Sequence, residues 1–356
     1  MRIVQMVTAL GYGDAVGNNI LAIADTLRSA GYETAVYAEN WDSRIEDETV
    51  QTPGNFRNVT REDVLIYHLA TGAELNFRVA DYPCRKVLVY HNVTPPGFFA
   101  PYDRQVAENC RYGIEGMRFL AGKVDLALAD SAFNAEDLVR AGYTCPVRVL
   151  PILIRFSDYE AAPDAERMTR YADGRNNILF VGRVAPNKKL EDIISAFSLY
   201  RKYYDQSARL ILAGSYSGMD NYYSLLRKYC DSLGTEGIEF TGHIRFNELL
   251  ACYRSADLFL CQSEHEGFCV PLVESMYFNI PVIAYKAAAV PDTLSGAGIV
   301  LEKKDPLETA AVMNRVIADK ALRENMAANG RERLKDFSHE KIRKDFLSAL
   351  ELLKVK

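Results

Sequence analysis

Leu258-Phe259-Leu260-Cys261 runs into Ser263-Glu264-His265-Glu266-Gly267-Phe268-Cys269-Val270-Pro271-Leu272-Val273-Glu274: an apolar strand, a polar turn with a glycine, then a helix opened by proline. Such a strand, turn and helix N-terminus presents several unpaired backbone N–H groups to an anion, which is how open α/β sheets hold phosphates. Glu266 and Glu274 stand eight residues apart, one before the helix and one about a turn inside it, so they can reach opposite ends of one ligand. Carboxylates suit sugar and ribose hydroxyls because each accepts at two oxygens. The plainer alternative is a pair of acids that only favour the helix dipole.

Upstream, Phe180-Val181-Gly182-Arg183-Val184-Ala185-Pro186-Asn187-Lys188-Lys189 follows another apolar strand. Arg183 offers a planar fork and Lys188 a point charge, five residues apart around a glycine and a proline turn, an arrangement that can clamp a diphosphate. Read singly, the two are surface charges. Their place at the C-terminal end of a strand, where ligands of open α/β sheets bind, favours the clamp.

Working outward, short apolar runs alternate with helix-like segments in both halves. The expected strands are Ile3 to Leu10, Thr34 to Ala38, Val64 to His68, Val87 to His91, Leu126 to Asp130 and Val147 to Leu150, then Ile178 to Val181, Arg209 to Ala213, Ile238 to Thr241, Leu258 to Cys261, Val282 to Tyr285 and Gly298 to Leu301. The alternation predicts α/β architecture with two Rossmann-like domains facing a central cleft. A length of 356 residues fits two hydrophobic cores rather than one. The polar stretch 155–176 marks the crossing, giving one domain over 1–165, a second over 166–335, and a C-terminal helix over 336–356 that can pack back on the first domain.

With these motifs in place, the chain resembles the family 4 glycosyltransferases of the GT-B fold, also called glycosyl transferases group 1, which retain the donor's anomeric configuration. The matches are Gly182-Arg183 with Lys188, Glu266 with Glu274, and Ala129-Asp130-Ser131 before a helix; Tyr90-His91-Asn92-Val93-Thr94-Pro95-Pro96 is similar to bacterial polysaccharide mannosyltransferases. The resemblance implies that Arg183 and Lys188 hold the β-phosphate and that Glu266, with the amides of Gly267, Phe268 and Cys269, binds the transferred sugar, Val270 opening the helix behind them. It further implies that Glu274 holds the ribose, that Gly242-His243-Ile244 lies near the base, and that His91 orients the sugar from the other domain. His68, also at a strand end, competes for that last role. Cys269 and Lys189 depart from the family, which commonly has glycine at both places.

The first βα turn, Gly11-Tyr12-Gly13-Asp14-Ala15-Val16-Gly17, supports a second reading as an NAD(P)-dependent oxidoreductase, with Glu39 as ribose acceptor 22 residues past Gly17. Its spacing is one residue off the dinucleotide fingerprint, and in the first reading Gly13 and Gly17 let the backbone approach the donor or acceptor. A related epimerase or phosphorylase, or a sugar-binding subunit without activity, would share the fold. No Asp-x-Asp pair is present to hold a divalent ion on the diphosphate, so no metal and no cofactor is expected beyond the nucleotide diphospho-sugar donor, with Arg183 and Lys188 supplying the charge.

A net charge of -5 gives no reason to expect a nucleic-acid partner. Seven cysteines without a C-x-x-C spacing fit reduced thiols in a cytoplasmic protein. Met1-Arg2 runs directly into an apolar strand without a signal-peptide pattern. The stretch Asp103 to Lys123, mixing Arg104, Arg111 and Arg118 with Tyr112 and Phe119, admits peripheral contact with the inner membrane surface, against the plainer reading of an ordinary amphipathic helix. The expected acceptor is a glycan or lipid-linked glycan, and the sequence sets no oligomeric state.

Overall fold

The computed structural model describes residues 2–46 and 49–353, so Met1 and the last three residues of the expected terminal segment lie outside it. The chain forms two compact units. The first comprises residues up to Gly97, Arg104–Arg155 and the chain from Phe337; the second comprises Phe98–Asp103 and Phe156–Asp336.

The expected crossing at 165/166 therefore moves to Arg155/Phe156, for an aromatic and ionic reason. The 3-10 turn Phe156–Glu160 places the Tyr159 ring against Phe246, Tyr277 and Phe278 of the second unit. The helix Ala165–Tyr171 then follows, with Arg167 donating to Glu248 at 3.0 Å. At the other end of the chain, the helix His339–Glu351 buries Ile342, Phe346 and Leu350, and Arg85 donates to the Leu353 carbonyl at 2.6 Å within the first unit.

The first unit holds a sheet of β1 (Ile3–Leu10), β2 (Val36–Trp41), β3 (Val50–Gln51), β4 (Val64–Leu69), β5 (Arg85–Tyr90), β6 (Leu126–Ala129) and β7 (Val147–Val149), in the order β3-β2-β1-β4-β5-β6-β7. The second holds β8 (Asn177–Val181), β9 (Arg209–Ala213), β10 (Ile238–Gly242), β11 (Leu258–Cys261), β12 (Val282–Tyr285) and β13 (Ile299–Leu301), in the order β10-β9-β8-β11-β12-β13. The strand pairings are parallel throughout. Parallel strands covered on both faces read as continuous apolar runs, which is why Leu258 to Cys261 and Leu126 to Ala129 are legible without alternation.

In the second unit one face is covered by Ile193, Phe197, Tyr222, Leu226 and Met313, and the other by Tyr253, Leu272 and Met276. Burying each such side chain is worth roughly 1.5–3 kcal/mol. The strand order reverses direction between β8 and β11, so the loops after these two strands flank the point where open α/β sheets bind ligands. No helix among the described residues is long and apolar enough to cross a membrane.

Gly214, just past β9, fixes how tightly the strand ends beside that point pack. The Gly182 N–H donates to the Ala213 carbonyl and the Val184 N–H to that of Ser215, both at 2.9 Å. A Cβ on Gly214 would stand 1.9 Å from the Gly182 carbonyl oxygen. Gly214→Ala is therefore expected to cost about 2–3 kcal/mol by urea denaturation, since backbone must move to admit the methyl. Gly54→Ala, where an added Cβ meets nothing within 4 Å, should stay within about 0.5 kcal/mol.

Candidate active site

The loops after β8 and β11 are stitched together by Asn187. Its carbonyl accepts from the Glu264 N–H at 2.9 Å, and its side-chain amide donates to the His265 carbonyl at 3.0 Å. The next residue, Lys188, donates its Nζ to Glu266 Oε2 at 2.6 Å. Burial works against the Lys188 charge, but the Glu266 carboxylate more than offsets it and holds the ammonium above its ordinary range. Glu266 is buried, while the Lys188 side chain keeps 21% exposure, enough to meet a ligand. Each charge is the other's partner in the free protein.

Both departures from the family pattern sit in left-handed backbone: Lys189 at φ +51° and Cys269 at φ +70°. A side chain there costs about 1–2 kcal/mol, a cost that glycine would not carry. Cys269 precedes the helix Val270–Tyr277, which no side chain caps. Its thiol is buried beside Cys261 and Glu266, within 4.8 Å of both. The Phe268 carbonyl accepts from Thr293 Oγ1 at 2.6 Å, fixing the loop from behind.

Glu274 lies inside that helix and is buried. Its Oε1 accepts from the Tyr159 hydroxyl at 2.6 Å and its Oε2 from that of Tyr253. Burial raises its pKa, and the two hydroxyls oppose that rise by hydrogen-bonding the ionised form. Just past β8, Arg183 is exposed, and its Nη2 donates at 3.4 Å to the carbonyl of Ser217, which lies beyond β9. Ser217 lines a cavity of about 370 Å³ together with Ser215, Tyr216, Gly218, Asp220 and His243. Ile244, next to His243, packs into the core.

In the first unit the glycines of the first βα turn have structural work. Gly13 adopts φ +75°, and a Cβ on Gly17 would fall 2.2 Å from the Gly11 carbonyl oxygen. Asp14 caps the helix Ala15–Ser29, its Oδ1 accepting from the Gly17 N–H at 2.6 Å. A carboxylate thus occupies the helix N-terminus where a dinucleotide's pyrophosphate would have to sit. Glu39, the ribose acceptor of the oxidoreductase reading, faces Arg78 at 3.8 Å.

His91 belongs to a buried chain of hydrogen bonds whose protons can be placed. Gln5 Nε2 donates to the Ile20 carbonyl, so its Oε1 accepts from His68 Nε2–H at 2.9 Å. Burial pushes the His68 pKa well down, so the ring is neutral and its Nδ1 is an acceptor. His91 Nε2–H must therefore donate to it, at 2.9 Å, and His91 Nδ1 faces Asp130 Oδ2 at the same distance. Both His91 ring nitrogens are thus engaged, Nε2 by His68 and Nδ1 by Asp130.

Residues 164–333 match the family model described as glycosyl transferases group 1. The second unit is a group 1 glycosyltransferase domain, and the chain is a glycosyltransferase. It is 25% identical over 275 residues to O-antigen chain mannosyltransferase B of Escherichia coli, covering 76% of this chain and 71% of that protein. It is 24% identical over 224 residues to the serotype-specific mannosyltransferase WbdA of Escherichia coli, covering 61% of this chain but only 27% of that much longer relative. Among solved structures it is similar to Anabaena Alr3699/HepE in complex with UDP-glucose, with a TM-score of 0.77, 16% identity and 99% of each chain covered. WaaG, a glycosyltransferase involved in lipopolysaccharide biosynthesis, superposes with a TM-score of 0.71 at 14% identity over 98% of each chain. At these identities the likeness establishes the GT-B fold.

Within the glycosyltransferase, Lys188, Glu266 and Cys269 come together, with Gly267, Phe268 and Val270 in the same loop and helix start. Gly182 and Arg183 meet the loop after β9, and His243 lines the cavity beside it. Glu274 is held by Tyr159 and Tyr253, and His91 has both ring nitrogens engaged inside the first unit. The sequence reading missed Asn187, Gly214, Tyr159 and Tyr253. The first two carry a visible signal, a Pro-Asn turn and an Ala-Gly-Ser at a strand end; Tyr159 and Tyr253 look like ordinary core aromatics. Removing Asp130 tests the hydrogen-bond chain. Asp130→Ala leaves His91 Nδ1 buried without its partner and should cost about 1–3 kcal/mol in urea, whereas Asp130→Asn can donate to that nitrogen and should cost less than about 1 kcal/mol.

Proposed function

We propose that the chain transfers a hexose, mannose from its GDP ester in our reading, with retention of configuration, to a glycan or lipid-linked glycan acceptor in cell-surface polysaccharide synthesis. The observation that carries this reading is the Lys188–Glu266 pair between the loops of β8 and β11. A cation and a carboxylate that hold each other in the free protein are suited to a donor offering a phosphate to one and sugar hydroxyls to the other. Mannose rests on the relatives named as mannosyltransferases and on the Tyr90 to Pro96 likeness.

In the reaction the glycosidic bond to the diphosphate breaks and the leaving group gains negative charge. Arg183 and Lys188 stabilise that charge more in the transition state than in the ground state. The acceptor hydroxyl attacks from the same face, and the departing phosphate takes its proton. Glu266 stabilises the sugar ring as it gains positive charge. Glu274 binds the ribose, with Tyr159 and Tyr253 positioning its carboxylate, and the base lies by His243 and Ile244. His91 orients the sugar rather than acting as a base, since both ring nitrogens are committed. The helix Arg104–Phe119, with Arg104, Arg111, Arg118 and Phe119 exposed, supports peripheral contact with the inner membrane surface.

A thermal-shift panel of GDP-, UDP- and ADP-sugars checks the donor, because a ligand at 100 times its dissociation constant stabilises by about 2.7 kcal/mol. GDP-mannose should raise the melting temperature most, and NMR of its product should show the donor's anomeric configuration. A shift with UDP-sugars alone would overturn the nucleotide, and an inverted product the retaining mechanism.

The two glutamates separate in kinetics. Glu266→Gln should lower kcat strongly at nearly constant KM, because its contact strengthens as charge develops. Glu274→Gln should mainly raise the donor KM, each charged hydrogen bond being worth about 1.5–3 kcal/mol. A donor titration at saturating acceptor reads both, and a reversed pattern would exchange the two roles.

A further inference from the structure

Cys261 ends β11 and Cys269 precedes the next helix, so the loop between them folds two thiols back on one another beside Glu266. All three side chains are buried, and one ligand atom from each lies within 4.8 Å of the others. We propose that these residues form a binding site for a thiophilic divalent metal ion of the zinc and cadmium class, and that the bound ion blocks the donor site. This goes beyond the transfer reaction, which uses neither thiol.

Four features fit such an ion. Two thiolates and a carboxylate select soft metals over magnesium or manganese, which prefer all-oxygen shells. Tetrahedral zinc holds its sulfurs about 3.8 Å apart, given Zn–S bonds of about 2.3 Å, so the donors need draw in by no more than about 1 Å. The charges also close: two thiolates and Glu266 carry three negatives, and the ion with the Lys188 ammonium carries three positives, leaving a buried site neutral. Finally, the Cys261 thiol donates to Ser263 Oγ at 3.4 Å, and that hydroxyl can reverse to donate to the thiolate, as outer partners of metal ligands do. Binding releases the two thiol protons to solvent, and the fourth position is left to water.

The blocking half rests on Glu266 contacting the sugar, since a carboxylate bound to a metal cannot also accept from the donor. The site itself does not depend on that reading, and the experiment separates the two. Cadmium chloride is titrated into the full chain and followed by thiolate-to-cadmium charge-transfer absorption. One equivalent should saturate the band, and GDP-mannose should displace the ion from the unaltered chain. Cys261→Ala and Cys261→Val should weaken binding by at least about tenfold and halve the absorption per ion while keeping basal turnover. Zinc should inhibit the unaltered chain competitively with donor and have little effect on either variant.

A band of equal strength and affinity in both variants, or none at one equivalent, would overturn the site. Equal zinc inhibition in the variants, or cadmium that GDP-mannose fails to displace although it binds, would overturn the blocking. If the band behaves as expected but GDP-mannose neither binds nor reacts, the donor assignment fails and the metal site stands.

Discussion

A lysine and a glutamate 78 residues apart in sequence meet at 2.6 Å where the second sheet reverses its strand order. Each charge offsets the cost of burying the other. The surroundings keep the two at that spacing. Parallel pairing of β8 with β11 brings the loops side by side, and Asn187 bonds to both residues that precede Glu266. Close packing of Gly214 on the Gly182 carbonyl sets the neighbouring strand end. The pair is therefore a structural tie between the two loops.

The two units have the same kind of sheet and use its reversal point differently. In the first, the helix after β1 is capped by Asp14, and the turn before it is closed by the contact of Gly17 with the Gly11 carbonyl. A negative group sits where an anion would bind. In the second, the helix after β11 begins without a side-chain cap and with a lysine close by. The two sheets share a strand order but differ in which helix start is closed by its own side chain.

Much of this was legible in the sequence because parallel strands and capped helices leave strong local marks. β1, β9, β11 and β12 run over the residues expected from their apolar stretches, and the other long strands differ by one to three residues at an end. The two-residue strand Val50–Gln51 was not, since so short a run has no period. The helix Ala165–Tyr171 was read as linker because its polar, Ala-rich sequence resembles one until Arg167 finds Glu248. Motif spacing located Arg183, Lys188, Glu266 and Glu274, but it says nothing of the partners that restrain them. Tyr159 reaches Glu274 across 115 residues of chain, and the hydrogen-bond chain through His91 joins four side chains on separate segments. Such contacts exist only once the sheet has assembled.

The chain leaves the first unit at Arg155 and returns to it at Phe337. The whole of the second unit is therefore translated before the helix that buries Ile342, Phe346 and Leu350 in the first. The apolar surface those residues cover stays open to water until that helix has been made. The unit that is translated first is thus the later one to close, and a stop codon within that helix damages the amino-terminal unit rather than the one encoded just before it.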